Sequence, residues 1–369
     1  MSKTTLVTTT IRVPKFLEGV CQNARMNNRE KDLSLLIVGD KKTPNEAREF
    51  CNAISDRYRI PIHFYGPEEQ EKRLASYPRL LKLMPYNHGA RKLVGNFIAY
   101  LENCDNLIML DDDNFVTNHD FFGHHEIVGK ETEMNLFQTP SGWFNVYEAL
   151  VEENNIPFYP RGYPWSQRKV VKEVATRKRG KLKVAVNNGL VLEDPDIDAI
   201  SRLFWPIRVM GMKPVFEPVF GLYPGTWSSW NNQSTALGKN VIPAFFTPPG
   251  SGRNSDIWSA YTICRLAEHM QEVVAFGYPL VHQFRNPHNL WRDLEDEMGN
   301  NKATDRFVAL LRSVPLTKST YLDSLGELLD GALAALAISR DTPEDEDSLM
   351  KTFLSEYKMW QEICLSKAA

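Results

Sequence analysis

Three consecutive aspartates, Asp111, Asp112 and Asp113, follow the apolar run Asn106–Leu110 (NLIML) and precede Asn114-Phe115-Val116. Adjacent carboxylates repel one another and cost stability unless a cation neutralises them. A hard divalent ion, Mn2+ or Mg2+, can be held by one or two carboxylates while phosphate oxygens of a ligand complete its shell. Alternate residues of an extended segment share a face, so Asp111 and Asp113 are expected to point together. The plainer alternative is a surface turn with solvated acids. The preceding apolar run argues against that, because it places the triplet at the end of a buried strand.

Three further groups carry chemistry. Residues 161–168 read RGYPWSQR, with Arg161 and Arg168 seven residues apart. Two permanently charged guanidiniums suit a diphosphate or developing leaving-group charge, and Tyr163 and Trp165 offer faces for a sugar ring. Otherwise this segment is a turn with ordinary ion pairs. Asp256, in Arg253-Asn254-Ser255-Asp256-Ile257-Trp258, opens a helix; it or Ser255 serves as N-cap, or Asp256 holds sugar hydroxyls or acts as a base. His282, in Pro279-Leu280-Val281-His282, is a candidate further metal ligand, although a lone histidine at a strand end is more often structural. His124-His125 beside Glu126 lacks metalloprotease spacing and is expected on a surface loop.

The elements that must position these groups alternate. Residues 5–12 (TLVTTTIR) and 33–38 (LSLLIV) read as strands, 45–59 as a helix, 60–65 as a strand and 88–102 as a helix with Leu93, Phe97, Ile98 and Leu101 on one face. NLIML closes the series. Strand and helix in alternation predict a parallel sheet covered on both sides, and ligands of such sheets sit beyond the carboxyl ends of the strands. Residues 135–249, rich in Trp, Pro, Gly and Tyr, are expected to form long active-site loops with short strands. Helices follow over 257–273, 303–336 and 348–365, with an acidic linker or cap at 342–347. One catalytic α/β domain (1–300) with a helical segment (301–369) accounts for this order.

The chain has 369 residues, 43% apolar and 24% charged, with a net charge of −3, which removes the basic surplus of a nucleic-acid binder. A basic run at 168–183 reads as a solvated face, or as a patch steering a diphosphate inward. Five scattered cysteines without CxxC spacing exclude a disulfide framework and a zinc site. The first residues lack a secretory apolar run and nothing approaches a membrane-spanning stretch, so a reducing, cytoplasmic setting without membrane attachment is expected.

Taken in order, these pieces resemble the reversibly glycosylated polypeptide family, the UDP-arabinopyranose mutases of plants. The resemblance runs over most of the chain. It includes Thr10-Ile11-Arg12, Phe16-Leu17-Glu18, Ile37-Val38-Gly39-Asp40, the aspartate triplet, RGYPWSQR, Asn188-Gly189-Leu190, Asp194-Pro195-Asp196-Ile197-Asp198, Asp256-x-Trp258 and His282. It implies a GT-A-like fold, a mostly parallel Rossmann-like sheet with flanking helices. It implies a UDP-sugar ligand, UDP-arabinose or a relative, met by Thr10, Arg12, Asp40, Arg91, Asp111 and Asp112. Mn2+ or Mg2+ would sit on Asp111 and Asp113 with His282. The implied reaction breaks and re-forms the glycosyl–phosphate bond while the sugar passes between pyranose and furanose forms. Arg161 matches the arginine glycosylated in that family, Arg168 a second arginine needed for activity, and Asp256 an acid beside the sugar. The family's cysteine after the triplet is Asn114 here, its paired acids are Ser255-Asp256, and its Cys-Gly-Met-Asn element has no counterpart near residues 241–246; these departures fall around the sugar. The alternative on the same scaffold is a glycosyltransferase with an acceptor site beside Trp227, Trp230 and Trp258. A non-catalytic UDP-sugar-binding subunit is a third reading, and the apolar C-terminal helices are compatible with a homo-oligomer.

Overall fold

The computed structural model describes residues 3–168, 173–285, 289–338 and 343–367. Strands and helices alternate through the first third: β1 (Thr4–Thr10), α1 (Phe16–Met26), β2 (Leu33–Gly39), α2 (Glu46–Tyr58), β3 (Ile62–Tyr65), the short α3 (Pro67–Arg73) and α4 (Pro78–Leu83), α5 (Lys92–Leu101) and β4 (Asn106–Leu110). β1, β2, β3 and β4 pair in parallel in the order β3-β2-β1-β4. β2 and β4 are nearly continuous apolar runs because both faces of the sheet are covered, and β1 between them is buried although five of its seven residues are threonine. Val7, Leu36, Val38, Leu107 and Met109 enter one core with Val94 and Phe97 of α5, while Leu6, Leu35, Ile37, Ile108 and Leu110 enter the other with Leu17 and Val20 of α1. Gly95 lets α5 lie close on the sheet, since a Cβ there would meet Val7 Cγ1 at 2.5 Å.

Beyond β4 the sheet is mixed. The elements are β5 (Asn114–Val116), α6 (Phe121–His125), β6 (Glu131–Gln138), β7 (Leu150–Glu152), β8 (Thr176–Glu193), α7 (Ala199–Phe204), β9 (Val209–Met212), β10 (Val219–Leu222), β11 (Ser234–Gly238), α8 (Ser255–His269) and β12 (Val273–Gln283). From β4 the order continues β11-β8-β6-β10-β12-β5, with β7 and β9 pairing to one side and β8 also joined to β12. Residues 135–249 hold the short strands expected there, between loops such as 139–145 and 223–233, together with one long strand, β8, that was not expected. β8, 18 residues long, was hidden because its first half is a basic ladder whose partners are acids on β6: Lys181 meets Glu131 and Arg179 meets Glu133, each at 3.0 Å. That ladder makes up most of the described part of the basic run and is a solvated face with its own counter-ions; Arg168 lies apart from it, paired with Asp198, and residues 169–172 lie outside the described ones.

The C-terminal helices α9 (Leu290–Ser313), α10 (Tyr321–Ile338) and α11 (Glu344–Ser366) share the first core with the sheet. Trp360 of α11 stacks on Phe246 at 5.0 Å and meets Phe97 of α5 edge-on at 5.6 Å, and the Tyr357 hydroxyl donates to the Ala244 carbonyl at 2.7 Å. Glu344, Asp345, Glu346 and Asp347 fill the first turn of α11, where the helix dipole favours acids.

His125 is not on a surface loop. It closes α6 with 1% exposure, bonded to Asn187 Nδ2 at 3.1 Å, and burial pushes its pKa down to about 3. The native state thus refuses a proton that an unfolded histidine accepts below about pH 6.5. The stability this contributes is fully present above that pH and is lost as pH falls toward 3. At pH 5 the loss is about 2 kcal/mol. Denaturant titrations at pH 7 and pH 5 should show His125→Gln losing about that much less than the parent; an equal loss in both would refute the assignment.

Candidate active site

β1 and β4 end side by side, and the residues just past them line a cleft with two lobes. The larger lobe, about 550 Å3, is bordered by Thr9, His88-Gly89-Ala90 and Lys92 on one side and by Thr247, Gly252 and Ser255 on the other. The smaller, about 230 Å3, is bordered by Asp113, Asp196, Asn231, Gln233, Gln283 and Arg285. Asp111, Arg161, Asn232, Arg253 and Asp256 border both.

Within the triplet the expected alternation appears as geometry. Asp111 and Asp113 face the smaller lobe, while Asp112 turns to β1 and accepts from Thr10 Oγ1 at 2.7 Å. The Asp111 N–H donates to the Gln233 carbonyl at 3.1 Å, prolonging the β4–β11 pairing past its last ladder residue. Asp113 accepts from Asn114 Nδ2 at 3.1 Å and Gln283 Nε2 at 3.3 Å. The Asp111 carboxylate forms an ion pair with Lys92, whose side chain is only 5% exposed and also donates to the Asn232 carbonyl at 3.2 Å. The charge that three neighbouring acids require is thus partly supplied within the chain. Burial raises the pKa of both Asp111 and Asp112; Lys92 opposes the shift at the first and Thr10 at the second.

Arg161 forms the common wall of the lobes. Its Nε donates to Asp196 at 3.0 Å, one terminal nitrogen donates to the Arg253 carbonyl (2.8 Å), Asn254 Oδ1 (3.0 Å) and Asp256 Oδ1 (3.0 Å), and the other to Asp256 Oδ2 at 2.8 Å. Burial works against the guanidinium charge, but Asp196 and Asp256 outweigh it and hold Arg161 protonated well above the ordinary arginine range. The same pairing overcomes burial at Asp196 and holds its carboxyl below the usual range. Arg253 extends the network to Asp293 (2.8 Å) and Glu297 (3.1 Å), and Arg285 lies 3.4 Å from Asp194 and 3.6 Å from Asp196. Asp256 is in the first turn of α8, but the N-cap residue is Asn254, so neither Ser255 nor Asp256 caps the helix.

Other sequence candidates lie elsewhere. His282 neighbours Gln283 on β12, and successive strand residues point to opposite faces. Gln283 takes the place beside Asp113, and the His282 ring stacks on Phe284 with a 12° interplanar angle. Arg168 pairs with buried Asp198 at 2.5 Å and covers Trp165 at 3.8 Å, while Tyr163 is buried; neither ring is a bare platform. Arg91 is buried behind the cleft, donating to Gln70 (2.8 Å) and the Met84 carbonyl (2.6 Å) and lying 3.7 Å over Tyr86. Asp40 pins the loop before α5 by accepting from the Asn87 N–H at 2.6 Å, and Arg12 is exposed just past β1. Trp227, Trp230 and Trp258, beside which an acceptor surface was expected, do not border either lobe. All three are buried, Trp258 stacked 4.2 Å from Phe307 and Trp230 5.7 Å from Phe245, with the Trp227 indole N–H on Glu268 at 2.8 Å.

No family model matches the chain, and no curated protein matches it. Among solved structures, a glucosyl-3-phosphoglycerate synthase from Mycobacterium tuberculosis, in complex with Mn2+, UDP-glucose and phosphoglyceric acid, is similar over 84% of this chain and 80% of its own, at 11% identity and a TM-score of 0.40. A mannosyltransferase from Pyrobaculum calidifontis, in complex with GDP-Man and Mn2+, is similar over 99% of this chain and 86% of its own, at 9% identity and a TM-score of 0.39. Likenesses of this size decide nothing about this chain, whose chemistry rests on its own cleft.

Sequence reasoning missed Lys92, Asn231, Asn232, Gln233, Gln283 and Arg285, and named Arg253 without giving it a role. The run Asn231-Asn232-Gln233 before a buried strand is the signal that was available: three amides at a strand start are more than a turn needs. Among the described residues no group of three or more His, Cys, Asp or Glu side chains is placed to share a metal ion. Asp111 and Asp113, facing one cavity, nevertheless suit a hard divalent ion that takes its other oxygens from a ligand.

Proposed function

We propose that the chain is a GT-A-like enzyme that binds a nucleotide sugar and breaks its glycosyl–phosphate bond, passing the glycosyl group to an acceptor hydroxyl. The observation that carries this reading is that Asp111 borders both lobes, with Asp113 beside it on the smaller one. The larger lobe suits the nucleoside diphosphate: the N-terminus of α5 and Lys92 open on it, and both favour anions. The smaller lobe suits the sugar, since its lining is polar: the amides of Asn231, Gln233 and Gln283, linked to one another and to Asp113, border it with Asp196 and Arg285. A divalent cation on Asp111 and Asp113 would supply charge stabilisation to the departing diphosphate. Arg161, fixed between Asp196 and Asp256, keeps a permanent positive charge that offsets those two carboxylates at the junction where that negative charge develops. All three guanidinium nitrogens are engaged and the group stays protonated, so Arg161 acts here by its charge and not as a nucleophile.

A pyranose–furanose mutase is the second reading. The smallness of the sugar-side lobe favours it, because a mutase needs no room for an acceptor. Incubation with Mn2+ and a panel of UDP- and GDP-sugars, UDP-arabinopyranose included, separates the two when products are followed by NMR and the protein by intact mass. A sugar nucleotide consumed only with an added acceptor supports transfer. A furanosyl nucleotide formed without one establishes the mutase. If no nucleotide sugar binds with metal present, both fail.

A further inference from the structure

We infer that Lys92 changes partner during binding: it neutralises Asp111 in the unliganded cleft and transfers its charge to a phosphate of the nucleotide when a divalent cation takes Asp111. This rests on the nucleotide-sugar reading above and specifies how that site loads. An ammonium as buried as that of Lys92 needs an anion within reach, and in the structure that anion is Asp111, aided by the Asn232 carbonyl. The same carboxylate is the one that faces both lobes, with 39% of its side chain open to them. A cation arriving there competes with Lys92 for one group and repels it.

The place where Lys92 finds another anion is already built. Lys92 is the first residue of α5 and follows a single 3-10 turn, Gly89–Arg91, that leads straight into the helix. His88, Gly89, Ala90 and Lys92 line the larger lobe together, so the positive end of the helix and the ammonium converge on one space. The Ala90 N–H is taken by His88 Nδ1 at 3.1 Å, which fixes the turn. The lysine stem has four carbons, so the ammonium can reach from Asp111 into the lobe while its backbone stays in place. Among the described residues Asp113 has no such competitor: its side-chain contacts there are the neutral amides of Asn114 and Gln283.

The consequence is that cation and nucleotide promote each other's binding through Lys92, in addition to touching one another directly, and the linkage is reciprocal. Removing the lysine charge should therefore move the two affinities in opposite directions. Calorimetric titrations of the full chain with Mn2+ alone, and with UDP in the presence of Mn2+, test this on the parent and on Lys92→Met. The variant is expected to bind Mn2+ alone about tenfold tighter and UDP about tenfold more weakly, the size of one charge-assisted contact in each case. Asp111→Asn supplies an independent arm that does not require Lys92 to be lost. With the lysine released, UDP without metal should bind more tightly than to the parent. Equal-signed shifts in Lys92→Met, or unchanged metal-free UDP affinity in Asp111→Asn, overturn the exchange. A parent protein that binds neither Mn2+ nor UDP overturns the nucleotide-sugar reading itself, and the exchange with it.

Discussion

Arg161→Met is expected to lower folding stability by about 3–5 kcal/mol, the cost of removing one partner from a buried ion-pair network. Arg161 and its partners Asp196 and Asp256 are all buried, and the variant would leave two carboxylates without their shared cation while the carbonyl of Arg253 and the side chain of Asn254 lose a donor. Arg161→Lys should recover only part of the loss, because a single ammonium cannot span both carboxylates as the planar guanidinium does. Asp196→Asn with Asp256→Asn in the Met background should also recover part, since it removes the uncompensated charges. Equilibrium denaturation at pH 7 measures all three. A loss below about 1 kcal/mol in the Met variant would mean that water reaches the network, and that its arginine is an ordinary surface-type pair.

Asp113→Asn should behave in the opposite way. Asp113 is half-buried, and its two amide contacts persist in altered form with an amide in its place. Stability should therefore change by no more than about 1 kcal/mol, while kcat/KM for whichever nucleotide sugar is turned over falls by about 10^2–10^3, the usual cost of removing one group that stabilises charge developing in the transition state. The contrast between the variants is the useful quantity: under the proposed function Arg161 is both scaffold and site, and Asp113 is site alone. Full activity and unchanged Mn2+ affinity in Asp113→Asn would remove the cation from this part of the cleft.

What the sequence disclosed follows from how local each signal was. β1, β2 and β4 are short runs buried on both faces, and α5 carries its apolar stripe at helical spacing, so the parallel half and the position of the triplet at a strand end could be read without tertiary knowledge. β8 could not, because the charges along its first half are satisfied by acids on β6 some 46–50 residues earlier in the chain. Trp227 and Trp230 sit among loop-forming residues and Trp258 on α8, yet the burial of each is decided by a segment later in the chain: Trp227 meets Tyr261 and Glu268 of α8, Trp230 stacks on Phe245, and Trp258 stacks on Phe307 of α9. Lys92 was passed over in favour of Arg91 for a related reason. Which of two adjacent cations faces a cleft depends on the helical phase of the residue, and here the arginine turns back to Gln70 and Met84 while the lysine turns forward to Asp111. His282 and Gln283 repeat the lesson on a strand, where one residue of register separates a neighbour of Asp113 from a ring stacked on Phe284.

The last helix also sets a timetable for synthesis. The wall of the larger lobe formed by Thr247 to Gly252 is braced from behind by α11: Glu356 accepts from the Gly250 N–H at 2.9 Å, and Tyr357 and Trp360 hold the carbonyls of Ala244 and Pro243. A ribosome delivers the parallel half of the sheet first, and Lys92 and Asp111 can meet as soon as α5 and β4 have packed. The opposite bank of the cleft is held first by α9, whose Asn300 donates to the Ser251 carbonyl at 2.9 Å, and acquires its remaining support when residues 344–366 have emerged. Until then the nascent chain carries a strand-end cluster facing a loop braced from one side alone, and the enclosure of a ligand is completed by the turns of α11 around Glu356, Tyr357 and Trp360.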